Sequence, residues 1–166
     1  MGDSAGSFEA FAADVARPLF GTALLLTGDW YLSEDLVQET FARIYRVWPV
    51  TLDHPLGYAR STLVRTFLSH RRRRSSSEQP VLQLPEQPTD EPDAALRRTL
   101  VAALLTLPER DRAVLVLRYL ADRSVAEVAR DLGKSPGAIR ISSMRALAKL
   151  RLLLGDNEPD LVSGGN

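Results

Sequence analysis

The chain has 166 residues, 45% of them hydrophobic, and its 21 basic and 21 acidic side chains cancel to a formal net charge of zero. That length suits one domain or two small ones and suffices to bury a core. The chain has no cysteine, which excludes disulfides and thiolate metal sites, and no segment approaches the ~18 uninterrupted apolar residues of a membrane span.

The predicted elements run as follows. Residues 1–20 lack the basic start and apolar run of a signal peptide, so a cytoplasmic protein without membrane insertion is expected. In FEAFAADVARPLFGTALLLTG, residues 8–28, Phe8, Phe11, Val15, Leu19 and Leu24 to Leu26 form a helical apolar face that Pro18 should kink or divide. A second helix, residues 32–48, places Leu36, Val37, Thr40, Phe41, Ile44, Tyr45 and Trp48 on one face and stops at Pro49. A third, residues 55–74, has Tyr58, Thr62, Leu63 and Phe67 as its inner side. Residues 75–93, SSSEQPVLQLPEQPTDEPD, have no helical period and read as a flexible acidic, proline-rich linker. Residues 94–154 are helical again, and an acidic tail fills 155–166. With no hairpin or parallel-strand signal, the expected fold class is all-α, as two small helical domains.

Charge follows the same boundaries. Residues 1–57 hold three basic and eight acidic residues, 58–74 six arginines and no acid, and 75–96 five acids and no base. Residues 97–154 then hold twelve bases and five acids. Solubility is served by interspersed signs; this segregation suits two polyanion-facing surfaces and one acidic surface for something else. The sharpest feature is SHRRRRSSSE, where Arg71 to Arg74 stand side by side. A helix C-terminus favours a cation or two, and a solvated face is the plain reading of a charge run. Together with Arg60 and Arg65, the excess can bind phosphate with release of counterions.

DRSVAEVARDLGKSPGAIRISSMRALAKLRLLL, residues 122–154, carries the most specific pattern. Ser124 and Glu127 form a capping box, and Val125, Val128, Ala129 and Leu132 an inner face. Gly133 supplies a left-handed stop, and Ser135 caps the next helix with Pro136 at its first position. Ala129, Gly133 and Ile139 are the small contact, tight turn and apolar anchor of a helix-turn-helix, although a plain helical corner shares these features. The basic second helix, with Arg140, Arg145, Lys149 and Arg151, favours DNA binding.

Two stretches carry a resemblance. SEDLVQETFARIYRVW, residues 33–48, resembles the core-binding helix of bacterial sigma factors, and LPERDRAVLVLRYLADRSVAEVARDLGKSPGAIR, residues 107–140, resembles their promoter-binding C-terminal domain. With only these domains and a short linker, the chain is similar to the extracytoplasmic-function group, and its LLTGDWYLSEDLVQE and RRRR stretches to an actinomycete-type subset.

The resemblance implies region 2 over residues 1–74, a linker over 75–93 and region 4 over 94–154. It implies a sigma factor that binds core RNA polymerase and directs initiation at promoter DNA. Glu34, Asp35, Leu36, Val37, Gln38, Glu39 and Phe41 would belong to the helix that docks on a coiled coil of the largest polymerase subunit. Melted minus-ten DNA would meet Leu52, Asp53 and His54 in a loop, and Tyr58, Arg65 and Arg71, Arg72, Arg73 and Arg74 on the third helix. Tyr58 is either a stacking platform or, from its shared face with Thr62 and Leu63, core. The minus-thirty-five duplex would face Lys134, Ser135, Arg140 and Ser142, with Arg145 and Lys149 serving phosphate.

Arg65 stands where many relatives have asparagine, and Ser142 where a second basic residue is usual. An anti-sigma factor is a further partner the resemblance allows; no metal or cofactor is expected. A polymerase-independent helix-turn-helix regulator would explain the C-terminal half and leave the acidic helix without a role. An enzyme such as a nuclease finds no clustered acid–base constellation in a chain with only His54 and His70.

Overall fold

The computed structural model describes residues 3–48, 52–73 and 93–155; Arg74, most of the expected linker and the tail beyond Gly155 lie outside them. Among the described residues there are seven α-helices and no β-strand. Helices α1 (Asp3–Thr27), α2 (Trp30–Arg46) and α3 (Pro55–Arg73) come from the N-terminal half. Helices α4 (Ala94–Leu105), α5 (Glu109–Leu115), α6 (Val125–Leu132) and α7 (Pro136–Leu154) come from the C-terminal half, and α5 widens into a π-helical turn at Val116–Leu120.

Helix α1 is the centre of the N-terminal half, with Leu19, Ala23 and Leu26 fully buried against α2 and α3. Pro18 neither ends nor divides it: α1 runs through, and the Thr22 hydroxyl donates to the Pro18 carbonyl at 3.0 Å. Burial of Val15, Leu19 and Thr22 on either side of the proline outweighs the one lost backbone hydrogen bond. The 21-residue stretch Ser7–Thr27 is long and apolar enough, at a mean hydropathy of 1.3, to cross a membrane by length and composition. Its apolar side is the core of this bundle, and Glu9, Asp14 and Arg17 interrupt it.

Helix α2 ends two residues earlier than the apolar pattern suggests, at Arg46. Tyr45, expected on the inner face, is still within the helix but exposed, touching Phe8 edge-on at a centroid distance of 5.0 Å, while Trp48 lies beyond the helix against Phe11 at 5.1 Å. These aromatics close the end of the bundle from outside.

In the C-terminal half the local signals are realised in hydrogen bonds. The Glu127 amide donates to Ser124 Oγ at 3.2 Å and the Ser124 amide to Glu127 Oε2 at 2.8 Å, completing the capping box. Gly133 turns with φ 61°, and the Lys134 amide reaches back to the Ala129 carbonyl at 2.9 Å. Ser135 Oγ accepts from the Ala138 amide at 3.1 Å, and Ile139 is buried as the anchor.

Hydrogen bonds from Ser124, first from its backbone and then from its side chain, hold the Glu127 carboxyl below the usual carboxylate range. A depressed folded-state value stabilises the protein above the unfolded value, about 4.3, and the contribution fades as pH falls through the lower folded one. Ser124→Ala removes the hydroxyl that accepts from the Glu127 amide and, as a lost cap, should cost about 1 kcal/mol at neutral pH, read as a lower midpoint in urea unfolding. The Ser124 amide still bonds the Glu127 carboxyl in the variant, so most of the gap to the parent should persist in acid.

The two halves share one core. The largest buried cluster joins Leu19, Leu63 and Phe67 to Val116, Leu117, Val128 and Ile139. A second cluster around Leu104, Leu107 and Leu150 takes in Leu25 of α1. The sequence points to two domains; the structure packs them face to face.

Candidate polymerase and promoter interfaces

Helix α2 presents its acidic face because its apolar face is locked inward. Asp29 caps the helix by accepting from the Leu32 amide at 3.1 Å, and Ser33, buried, hydrogen-bonds Thr27 at 2.7 Å. Leu36 and Val37 are buried in the chain's own core, so they hold the helix and are not offered to a partner surface. Phe41 is half-buried beside Phe8 and Phe11.

Glu34, Asp35 and Gln38 face outward, with Glu34 accepting from the Trp30 indole at 3.1 Å. Glu39 differs. It is half-buried between Arg43 at 2.7 Å and Arg73 at 3.6 Å, and the Arg43 hydrogen bond is the largest cause of its lowered pKa.

The loop before α3 holds Leu52, half-buried on the core, and exposed Asp53 and His54; the His54 carbonyl accepts from the Tyr58 amide at 3.0 Å. Tyr58 packs partly buried against the core. Arg65 is exposed, 3.5 Å from Thr62 Oγ1. The arginine run is not a uniform solvated comb. Arg71 forms an ion pair with Glu109 of α5, Arg73 faces Glu39, and Arg72 is exposed.

On the helix-turn-helix, Lys134 and Arg140 are exposed, whereas Ser135 is spent as the cap. Ser142 donates to Asp111, and Arg145 reaches both oxygens of the same carboxylate at 3.1 Å. Lys149 donates to the Thr106 carbonyl at 3.0 Å. Asp111 is only 5% exposed and ties α7 to α5, a role no local pattern announces because its partners lie more than thirty residues on. Arg145 keeps a side chain 65% exposed, so this pairing leaves it reachable.

Arg60 and Arg112 also escape sequence reading as structural groups. Arg60 donates to Thr22 Oγ1 at 3.0 Å and the Leu120 carbonyl at 2.6 Å, and burial lowers its pKa. Arg112, 2% exposed, donates to the carbonyls of Leu26 and Leu107, and burial pushes its pKa down to about 10. A run of arginines in sequence does not distinguish those facing solvent from those crossing an interface.

Between the halves lies a cleft of about 850 Å³. Arg65, Arg71 and Arg72 line one wall, and Arg130, Lys134, Ser142 and Arg145 the other. Glu109, Asp111 and Asp131 line it too, so its charge is mixed. An all-helical fold with a helix-turn-helix and exposed cations on α3 and at the start of α7 is that of a DNA-binding transcription protein.

The patterns described as Sigma-70 region 2 and Sigma-70, region 4 match residues 11–77 and 97–150. The chain is 34% identical over 148 residues to the RNA polymerase sigma-E factor of Streptomyces coelicolor, covering 87% of this chain and 84% of that protein. It is 36% identical over 149 residues to the ECF RNA polymerase sigma factor SigL of Mycobacterium tuberculosis, covering 84% of each. The sigma factor RpoE of Bartonella quintana, solved in complex with the anti-sigma factor NepR, has the same fold, with a TM-score of 0.71 at 22% identity over 92% of this chain and 99% of that one. The chain belongs to the sigma-70 family, as an extracytoplasmic-function sigma factor of the actinomycete type.

Proposed function

We propose that this sigma factor binds core RNA polymerase through the outward face of α2 and reads promoters with α3 and α7. The observation that carries the assignment is the division of surfaces: Glu34, Asp35 and Gln38 stand out from a helix whose apolar side is buried, while exposed cations lie on α3 and at the start of α7. Glu34 and Asp35 would make the polar contacts with the coiled coil of the largest subunit. Leu36, Val37 and Phe41 would act through helix placement, and Glu39 through its ion pairs. Leu52, Asp53, His54, Tyr58, Arg65 and the run from Arg71 would hold melted minus-ten DNA, and Lys134 and Arg140 would approach the minus-thirty-five duplex. Ser135, Ser142, Arg145 and Lys149 would position α7, with Arg145 adding phosphate contact.

The region boundaries follow as residues 1–74 and 94–154 with the linker between. The protein supplies no catalysis of its own and works where the DNA is, in the cytoplasm and at the nucleoid during initiation. An anti-sigma factor is a fitting regulator. A regulator acting without polymerase leaves the region 2 match without a purpose.

Transcription by core polymerase plus this protein, on a library randomised at both promoter elements, tests the reading. Two enriched elements at fixed spacing are expected. Arg140→Ala should then relax preference at one minus-thirty-five position by about 1–3 kcal/mol. Equal loss on every promoter would make Arg140 a phosphate contact instead.

A further inference from the structure

Helix α7 turns Ile139, Ser143, Ala146 and Leu150 into the protein. At about 100° per residue, the line on the opposite side passes through Gly137, Ile141, Met144 and Ala148, and all four are exposed. The outermost strip of the second helix of the helix-turn-helix is therefore apolar or small, not charged. Ile141 is 63% exposed and Met144 71%, and neither belongs to a buried cluster or lines the cleft between the halves. The fold itself gives these two side chains nothing to pack on.

Cations rim the strip. Arg140 and Arg145 stand on its two flanks and Lys134 precedes the helix, all three exposed. An apolar strip between basic edges fits a surface with anionic borders and an apolar component on its floor. The major groove of DNA has that form, with phosphates along both rims and the thymine C5 methyl among the hydrogen-bonding edges of its floor.

Gly137 supports the match independently. A Cβ built there meets nothing within 4 Å, and its backbone is not left-handed, so neither crowding nor conformation inside the chain calls for glycine. Alanine would favour the helix more. The missing side chain instead opens the first turn of α7 to close approach from outside.

We propose that Ile141 is a specificity-determining contact of this sigma factor: its side chain packs on a thymine methyl in the major groove of the minus-thirty-five element, with Met144 extending the same apolar surface. The proposal deepens the function given above and rests on it. Base edges are read by the N-terminal residues of such a helix, and Ile141 lies only five residues past Pro136, the first of α7. Leu152, exposed on nearly the same line, stands about 16 Å beyond Ile141 at about 1.5 Å per residue and takes no part.

Deoxyuridine in place of thymidine tests the contact, because it keeps the base pair and its hydrogen-bonding edge and removes only the C5 methyl. Holoenzyme is bound to a promoter carrying the minus-thirty-five element selected from the library, with deoxyuridine placed at one thymine at a time in either strand. Withdrawing one buried methyl corresponds to about a fourfold loss of affinity, expected at one or two positions and not at the others. Ile141→Ala should bind the thymine promoter more weakly by about the same factor, and should no longer distinguish deoxyuridine from thymidine at the position that Ile141 reads. Both residues are exposed, so the fold should be unaffected, as circular dichroism can check.

Tolerance of deoxyuridine at every thymine of the element, or an equal penalty in the parent and in Ile141→Ala, overturns the inference. So does a defect of Ile141→Ala in assembly with core polymerase without DNA, which would assign the strip to a protein partner. Failure of the unmodified protein to enrich any minus-thirty-five element overturns the proposed function, and this inference with it. An enriched element bound equally well with and without its methyls overturns this inference alone.

Discussion

Glu34→Lys combined with Asp35→Lys should abolish assembly with core RNA polymerase while leaving helical content unchanged. Both side chains face outward on α2, and neither packs in the core, so reversal costs the fold little. The cost falls on a docking face where each new lysine meets a surface chosen for carboxylates; like-charge juxtaposition at an interface costs several kcal/mol. Glu39 gives the contrast. Reversing it would set a lysine between Arg43 and Arg73 and disturb the α2–α3 contact itself. Its effect should therefore appear as lost stability in thermal unfolding as well as lost binding. Gel filtration with core polymerase reads the result, and unimpaired assembly of the double-lysine variant would remove α2 from the docking surface.

Replacing Arg71, Arg72, Arg73 and Arg74 with glutamine should reduce open-complex formation and flatten its dependence on salt. Each phosphate contact on single-stranded DNA contributes about 0.7 to the slope of log affinity against log salt, so four lost contacts lower it by up to about 3. Among the three that the structure describes, Arg71 pairs with Glu109 and Arg73 with Glu39, and those pairs must open for the full effect. Minus-thirty-five preference should survive because α7 is untouched. A premelted template should restore activity only in part, since the lost grip is on the strand as well as on melting. Parallel salt slopes for parent and variant would mean that the run is a solvated helix end.

The legible parts of the fold are those set by local chemistry. Ser124, Glu127, Gly133 and Ser135 fix caps and a turn within a few residues of themselves, and each does so by the bond its type predicts. Spacing places Leu36, Val37, Thr40 and Ile44 of α2 and Thr62, Leu63 and Phe67 of α3 inside, but it misplaces exposed Tyr45 and misses buried Ser33, Ala59, Ser61, Val64 and Thr66. Pro18 shows where locality fails, because packing on both sides carries α1 through a residue that would break an isolated helix. The π-helical turn at Val116–Leu120 has no sequence signal of its own. Nor does the contact between the halves. Arg60, Asp111 and Arg112 look like surface charges in sequence, and only tertiary contacts at separations of 31 to 86 residues turn them into fasteners. The acidic and basic surfaces were readable as blocks; which member of a block faces solvent was decided by packing.

The most direct measurement of the central claim is run-off transcription from a selected promoter with three samples: core polymerase alone, this protein alone with the template, and the two together. The account predicts a discrete promoter-initiated transcript from the combination, none from core alone, and weak, salt-sensitive DNA binding by the protein alone. Tight, sequence-specific binding by the protein alone, with no promoter-initiated transcript when core polymerase is added, would contradict it.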